Sequence, residues 1–232
     1  MAETAFSDQV LHEAGWLSRL PADFRSAWMA RAKHFKVPRG EMLYRDGDEG
    51  RCLYGLISGT MAITIGPPHL APRLINIMHP GTWFGVGPLL RSGGRTMEFR
   101  AAESSRLVRV SGAAIDQMAA RFPDTPKHIG ALAMFGHDVA SQVATELLIP
   151  FSARRVAAVI LRIATPPAEE ARVGPQGVRV TQAQLAEMAN VSRNLANNAL
   201  RDFRAAGWLE SGYNRIRVTD RDALAAFAYG ED

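Results

Sequence analysis

The chain has 232 residues, 47% hydrophobic and 22% charged, a composition ordinary for a soluble globular protein and a length that allows one large domain or two with proper cores. The 27 basic and 23 acidic side chains give a formal charge of only +4, so nucleic-acid binding is permitted but has to be argued from local patches. The single cysteine, Cys52, excludes an internal disulfide and a thiolate-held metal cluster within one chain; with no signal-peptide pattern and no apolar run of about 18 residues, a cytoplasmic protein with no membrane partner is expected.

In chain order, Phe6 to Lys36 reads as helical: Val10, Leu11, Trp16, Leu17, Leu20, Phe24 and Trp28 recur at helix-like spacings, and Pro21 starts a new segment. From Val37 the signal changes. Arg39-Gly40, Asp46-Gly47, Ser58-Gly59, Gly66-Pro67-Pro68, His79-Pro80-Gly81 and Ser92-Gly93-Gly94 are turn signals. Between them lie the runs Glu41–Tyr44, Cys52–Ile57, Met61–Ile65, Leu74–Met78, Glu98–Glu103 and Leu107–Val110. Short strands at regular spacing predict an antiparallel sandwich or barrel.

A short helix over Asp116–Arg121 precedes a long one over Asp124–Leu148. On the long helix Ile129, Leu132, Gly136, Val139 and Val143 are spaced like the seam of a two-stranded coiled coil. Small residues such as Ala140 and Ala144 would let a second helix approach; packing on the chain's own domain is the alternative. Pro150 ends the helix, Ser152 is placed to cap another over Ala153–Ala164, and residues 165–177 form a loop before a strand at Val178–Val180.

The stretch Val180–Val218 reads as two short helices and a β-hairpin. Thr181 and Gln184 stand in the relation of a capping box, Leu185, Met188 and Ala189 share one face, and Asn190 suits a left-handed position closing that helix. Ser192 caps the second helix, whose expected apolar face is Leu195, Ala199 and Phe203. Its other face carries Arg193, Asn194, Asn197, Asn198 and Arg201. Arg reads guanine and Asn reads adenine in the major groove, and a helix N-terminus favours a phosphate. Gly207 ends the helix, Ser211-Gly212 is taken as the turn, and Arg215 and Arg217 alternate along a strand that would form a wing beside the DNA backbone. Thr181 and Gln182, opening the first helix, complete the candidate DNA contacts. A hairpin that only packs on its neighbours explains the apolar faces equally well, but not a face of three Asn and two Arg with no acid before Asp202. From Asn190 to Arg217 there are five arginines against two acids, the local basic face that phosphate contact needs.

Taken together, a glycine-punctuated roll (Gly40, Gly47, Gly59, Gly81, Gly85), a long helix, a hinge and the run LAEMANVSRNLANNALRDFRAAGWLE resemble the CRP/FNR family of bacterial transcription regulators over essentially the whole chain. The resemblance implies an α+β fold: an N-terminal antiparallel, jelly-roll-like β-roll sensor domain (1–122), a dimerisation helix (123–150) and a C-terminal winged helix-turn-helix (151–232). It implies a homodimer on a palindromic double-stranded DNA site. A member that activates needs a surface for RNA polymerase, for which the Pro166–Gln176 loop is a place.

Cyclic-nucleotide-binding members hold their ligand on an F-G-E loop followed by Arg-Ser or Arg-Thr. Here the segment is Phe84-Gly85-Val86-Gly87-Pro88, then Arg95-Thr96. The resemblance places a ligand site at Gly85, Val86, Gly87, Arg95 and Thr96, with Ser141 on the long helix; a plain surface cation is the alternative for Arg95. Val86 stands where the family has the Glu that takes the ribose hydroxyl, and Pro88 removes an N–H. Losing a charge-assisted partner costs on the order of 1.5–3 kcal/mol, so tight cAMP binding is not expected, although a remodelled pocket could take another nucleotide-like anion. In the recognition helix Arg193 is kept, while Asn194 and Asn198 replace the family's Glu and later Arg, which shifts readout toward adenine.

Competing readings stay open. One cysteine cannot supply an iron–sulfur cluster, and His79 and His137 sit in no haem motif, so no metal is assigned. A regulator without a ligand, controlled by expression or by oxidation of Cys52, is a second reading; a buried strand thiol is the plainer account of Cys52. A third is a cyclic-nucleotide-modulated regulatory subunit that binds protein instead of DNA. No nucleophile–base pair, H-E-x-x-H or Walker loop is present, so the chain is not expected to be an enzyme.

Overall fold

The computed structural model describes residues 8–66, 69–167 and 170–230. Phe6 of the first expected helix, Pro67 and Pro68 of an expected turn, and 168–169 of the expected loop lie outside the described residues.

In chain order the elements begin with α1 (Gln9–Glu13), α2 (Gly15–Ser18) and α3 (Ala22–Met29). Strands β1 (Lys33–Val37), β2 (Met42–Tyr44), β3 (Cys52–Ser58), β4 (Met61–Ile65), β5 (Arg73–Met78) and β6 (Trp83–Phe84) follow. Then come α4 (Gly87–Leu90), β7 (Glu98–Ala101), β8 (Ser105–Ser111), α5 (Gly112–Arg121), α6 (Thr125–Leu148) and α7 (Ser152–Ala164). The chain ends in β9 (Val178–Arg179), α8 (Gln182–Met188), α9 (Arg193–Ala205), β10 (Leu209–Gly212), β11 (Arg215–Val218) and α10 (Arg221–Tyr229). This is the expected α+β class, strands in the first half and a helix-turn-helix with its wing in the second.

Two compact units form. The first takes the chain to Ile65, Met78–Asp138 and Pro167–Arg172; the second takes Gly66–Ile77, Val139–Pro166 and the chain from Val173. In the first, one antiparallel sheet runs β1-β8-β3-β6, and in the other β7 lies between β2 and β4. The core is Leu11, Trp16, Leu17, Phe24 and Trp28 from the N-terminal helices, Leu53, Ile57, Trp83, Val108 and Val110 from strands, and Ile115, Met118, Ile129 and Leu132 from α5 and α6. Aromatic edges carry much of it: Trp16 meets Trp28 at 5.2 Å and Trp83 at 5.7 Å between ring centroids.

Local reading errs where a period changes. Lys33 to Lys36, expected as helix, is strand β1, paired with β8 from Lys33↔Arg109 to Val37↔Ser105. The helical spacing stops at Trp28, and Phe35 and Val37 then alternate with polar residues, the period of a half-buried strand. Ser152 lies inside α7 instead of capping it; Phe151 is the extended N-cap residue and makes no side-chain cap.

The second unit packs α7, α8, α9 and α10 around Val156, Ile160, Ile163, Leu185, Met188, Leu200, Phe203 and Leu224. A three-stranded sheet, β10-β11-β9, closes it. Helix α10 carries no earlier expectation; Asp220 caps it by accepting from the Ala223 N–H at 2.9 Å.

Candidate nucleic-acid interface and β-roll pocket

The helix pair forms as its caps dictate. The Thr181 hydroxyl accepts from the Gln184 N–H at 3.1 Å, and the Gln184 side chain accepts from the Thr181 N–H at 2.9 Å. Thr181 thus uses its hydroxyl in the cap, while Gln182 stays exposed beside it. Asn190 takes φ 49°, the left-handed turn between the helices. Ser192 accepts from the Leu195 N–H at 3.2 Å and starts α9.

Arg193, Asn194, Asn198 and Arg201 are exposed on α9. Asn197 is half-buried, and its Oδ1 is enclosed with no hydrogen-bond partner among the described residues. The buried face is Ala196, Ala199, Leu200 and Phe203; Leu195, expected inside, is 47% exposed. Ala199 and Phe203 lie inside as expected; Ala196 and Leu200 join them, so the buried face is centred roughly 50° round the helix from the expected one. An apolar side chain therefore stands among the basic and amide groups, suited to a thymine methyl.

The wing also differs from expectation. Its turn is Tyr213-Asn214, between the paired Gly212 and Arg215, with Asn214 at φ 54° and Tyr213 92% exposed. Asn adopts a left-handed φ more readily than other side-chain-bearing residues, so it takes the turn from Ser211-Gly212. The Arg215 guanidinium donates to the Gly177 carbonyl at 3.2 Å, and Arg217 pairs with Glu210 across the strands at 2.7 Å. Both wing arginines are therefore engaged within the chain. Gly177 has φ +73°, and a Cβ there would overlap the Ile216 carbonyl, which keeps this close approach of β11 to glycine.

Three charged positioning residues escape sequence reasoning. Arg155 on α7 donates to the carbonyls of Ala189 at 3.0 Å and Ile149 at 2.8 Å, tying the end of α8 to the end of α6. Arg162 Nε donates to both carboxylate oxygens of Glu146 at 3.0 Å, and its Nη1 reaches Asn76 Oδ1 at 2.6 Å and the Ile75 carbonyl at 3.1 Å. Burial pushes the Glu146 carboxyl above its ordinary pKa, opposed by Arg162. Their only sequence signal is a charge on an otherwise apolar helix face.

In the first unit the Phe84-Gly85-Val86-Gly87 segment runs from β6 into α4, with Pro88 in its first turn. Gly85 (φ +96°) lies so close to its neighbours that a Cβ would come 2.9 Å from the Cys52 carbonyl and 3.0 Å from Arg95 Nη1. Arg95 is not a surface cation: it is 5% exposed. Its Nη1 donates to the Gly85 carbonyl at 3.1 Å, and its Nη2 to Gly50 at 3.0 Å and Cys52 at 3.3 Å. The guanidinium lies 4.0 Å from the Tyr44 ring centroid and 5.4 Å from that of Tyr54. Phe84 and Phe99 stack beside them at 4.5 Å. Burial raises both tyrosine pKa values, with Arg95 opposing. Val86 and Gly87 are half-buried, and Thr96 is exposed. The arrangement brings Gly85 and Arg95 together and points the Arg95 donors at backbone carbonyls.

On α6 the expected seam divides. Ile129 and Leu132 belong to the first unit's own core, Val139 and Val143 are half-buried, and Gly136 is exposed. Their apolar spacing reports burial within the chain as much as a seam. Exposed instead are Met134, His137, Ser141, Ala144 and Leu148, with half-buried Gly130 before them, spaced 4, 3, 4, 3 and 4. Met134 is 55% and Leu148 81% exposed. His79 is buried, and no group of three or more metal-ligating side chains occurs among the described residues. No helix among them is long and apolar enough to cross a membrane.

Comparison with known proteins agrees with both halves. Residues 34–122 match the cyclic nucleotide-binding domain and residues 154–227 the Crp-like helix-turn-helix domain. A CRP-like cAMP-activated global transcriptional regulator of Mycobacterium tuberculosis is 25% identical over 225 residues, 94% of this chain and 98% of the relative. In fold, FixK2 of Bradyrhizobium japonicum has a TM-score of 0.71 at 15% identity, covering 87% of this chain and 99% of that one. The c-di-GMP responsive global regulator CLP of Xanthomonas campestris has 0.65 at 22% identity, covering 85% and 99%. With a sensor-type roll and a helix-turn-helix matched in the order and places that the geometry shows them, the chain belongs to the CRP/FNR family of DNA-binding transcription regulators.

Proposed function

We propose that the chain works as a homodimer, a sensor over 1–122 and a DNA reader over 151–232 on either side of a dimer helix over 123–150. The carrying observation is the exposed face of α9, where Arg193, Asn194, Asn198 and Arg201 stand clear of the core behind the Ser192 cap. Two such helices placed about 34 Å apart read successive major grooves of a palindromic site. Arg193 takes a guanine, Asn194 and Asn198 favour adenine, and Leu195 covers a thymine methyl. The exposed stripe of α6 from Gly130 to Leu148 supplies the dimer contact, small residues letting two helices approach between Met134 and Leu148. The protein acts in the cytoplasm, with RNA polymerase its partner where it activates.

The Arg95 geometry favours a roll that does not take cAMP in the family's usual way. To meet a cyclic phosphate, Arg95 would have to give up its bonds to three backbone carbonyls, and Val86 offers no acceptor for a ribose hydroxyl. A different anionic effector, or none at all at this site, is the reading that follows.

Selection from random double-stranded DNA tests the proposal. A palindrome whose half-site keeps one G and is richer in A/T than the usual family half-site is expected, with a steep fall of affinity as salt rises. Recovery of the unmodified CRP or FNR half-site overturns the assigned readout, and a monomer on DNA overturns the dimer.

A further inference from the structure

The geometry points to a small-molecule site in the first unit, apart from the Gly85–Arg95 region of the roll: a cavity that takes one neutral, single-ring aromatic molecule. Its volume is about 110 Å3, and Trp16, Leu20, Trp83, Leu132 and Phe135 form its apolar walls. That is of the order of the ~150 Å3 apolar cavity known to hold a benzene.

Its walls are fixed before any ligand arrives. Trp16 donates its indole N–H to the His128 carbonyl at 2.6 Å, which ties α2 to α6, and meets Trp83 edge-on. Trp83 is 1% exposed, and its own indole N–H finds no acceptor among the described residues. Trp16 and Trp83, inclined at 65° to each other, suit the edge and face of a single ring, and Phe135 adds a third aromatic wall. Arg19 and Glu170 also line the cavity, and their opposite charges favour a neutral hydroxyl, which both donates and accepts, over an anion. The α6 wall is Ala131, Leu132 and Phe135, adjacent in sequence to exposed Met134, so occupancy bears directly on that helix.

The site is tested on the full chain without DNA, so the result is independent of the DNA-binding proposal. Phenol, benzene and benzoate are titrated while the melting temperature and tryptophan fluorescence are followed. Saturable stabilisation by phenol and more weakly by benzene, with benzoate inert, is expected. Leu20→Trp fills the cavity and is expected to weaken phenol binding about tenfold or more, the equivalent of 1.4 kcal/mol. Phe135→Ala enlarges it and should make 2-naphthol the better ligand, a gain that a folding defect cannot imitate. No saturable response to phenol, equal binding of benzoate, or unchanged ligand preference in Phe135→Ala overturns the proposal.

Discussion

The guanidinium of Arg95 lies 4.0 Å from the ring centroid of Tyr44 and spends its N–H donors on the carbonyls of Gly50, Cys52 and Gly85. A residue that the family resemblance would place in a ligand site thus acts as an internal brace of the roll. Arg95→Ala is expected to destabilise the protein by on the order of 3 kcal/mol, from lost charge-assisted bonds and the ring contact. Urea unfolding measures this. If Arg95 were free for a ligand, its removal would cost binding and leave stability nearly unchanged.

Arg193 and Arg217 are both candidate DNA contacts, but of the two only Arg217 has an acid partner among the described residues, Glu210 at 2.7 Å. Arg193→Ala is expected to cost roughly 1–3 kcal/mol on the selected site and much less on random DNA. Arg217→Ala should cost under about 1 kcal/mol on either, because its exposed guanidinium is already paired with Glu210. Fluorescence anisotropy on both duplexes compares them. Equal loss on both DNAs for Arg193→Ala would show that it only positions.

The two faces of α6 are separable. Met134→Glu leaves the core alone and should convert dimer to monomer in sedimentation with the helical circular dichroism retained. Ile129→Glu places a charge in the first unit's core and should unfold it. If Val139→Glu dissociates the dimer and Met134→Glu does not, the interface follows the first-expected seam.

Arg162 and Glu146 are both buried, so they stabilise as a pair and are costly apart. Arg162→Met should lose about 3–5 kcal/mol, and adding Glu146→Leu should restore most of it. Thermal and urea unfolding of the single and double variants measure the coupling.

The pH dependence of that pair has a definite sign. Burial raises the folded-state pKa of Glu146, so the folded state binds this proton more readily than the unfolded state does. Its contribution is present in full below the unfolded carboxylate pKa and is lost as pH rises through the raised value. The stability of the native chain relative to Glu146→Gln should therefore increase as pH falls from neutral into the carboxylate range. A difference that is flat, or that shrinks on acidification, contradicts the direction.

What the sequence determined by itself is local in its physics. Thr181 and Gln184, Asn190, and Ser192 set the starts and stops of α8 and α9 because their hydrogen bonds close within three residues. Turn glycines and short alternating runs marked most strands for the same reason. Tertiary structure decided the rest. Arg95 finds its acceptors 43 and 45 residues away as well as at nearby Gly85, and Glu146 meets Arg162 across a helix break. Whether Leu195 or Ala196 goes inside, and whether Ile129 faces a second chain or its own core, depends on which surface reaches each helix. Spacing reveals that a face is apolar; only packing decides what covers it.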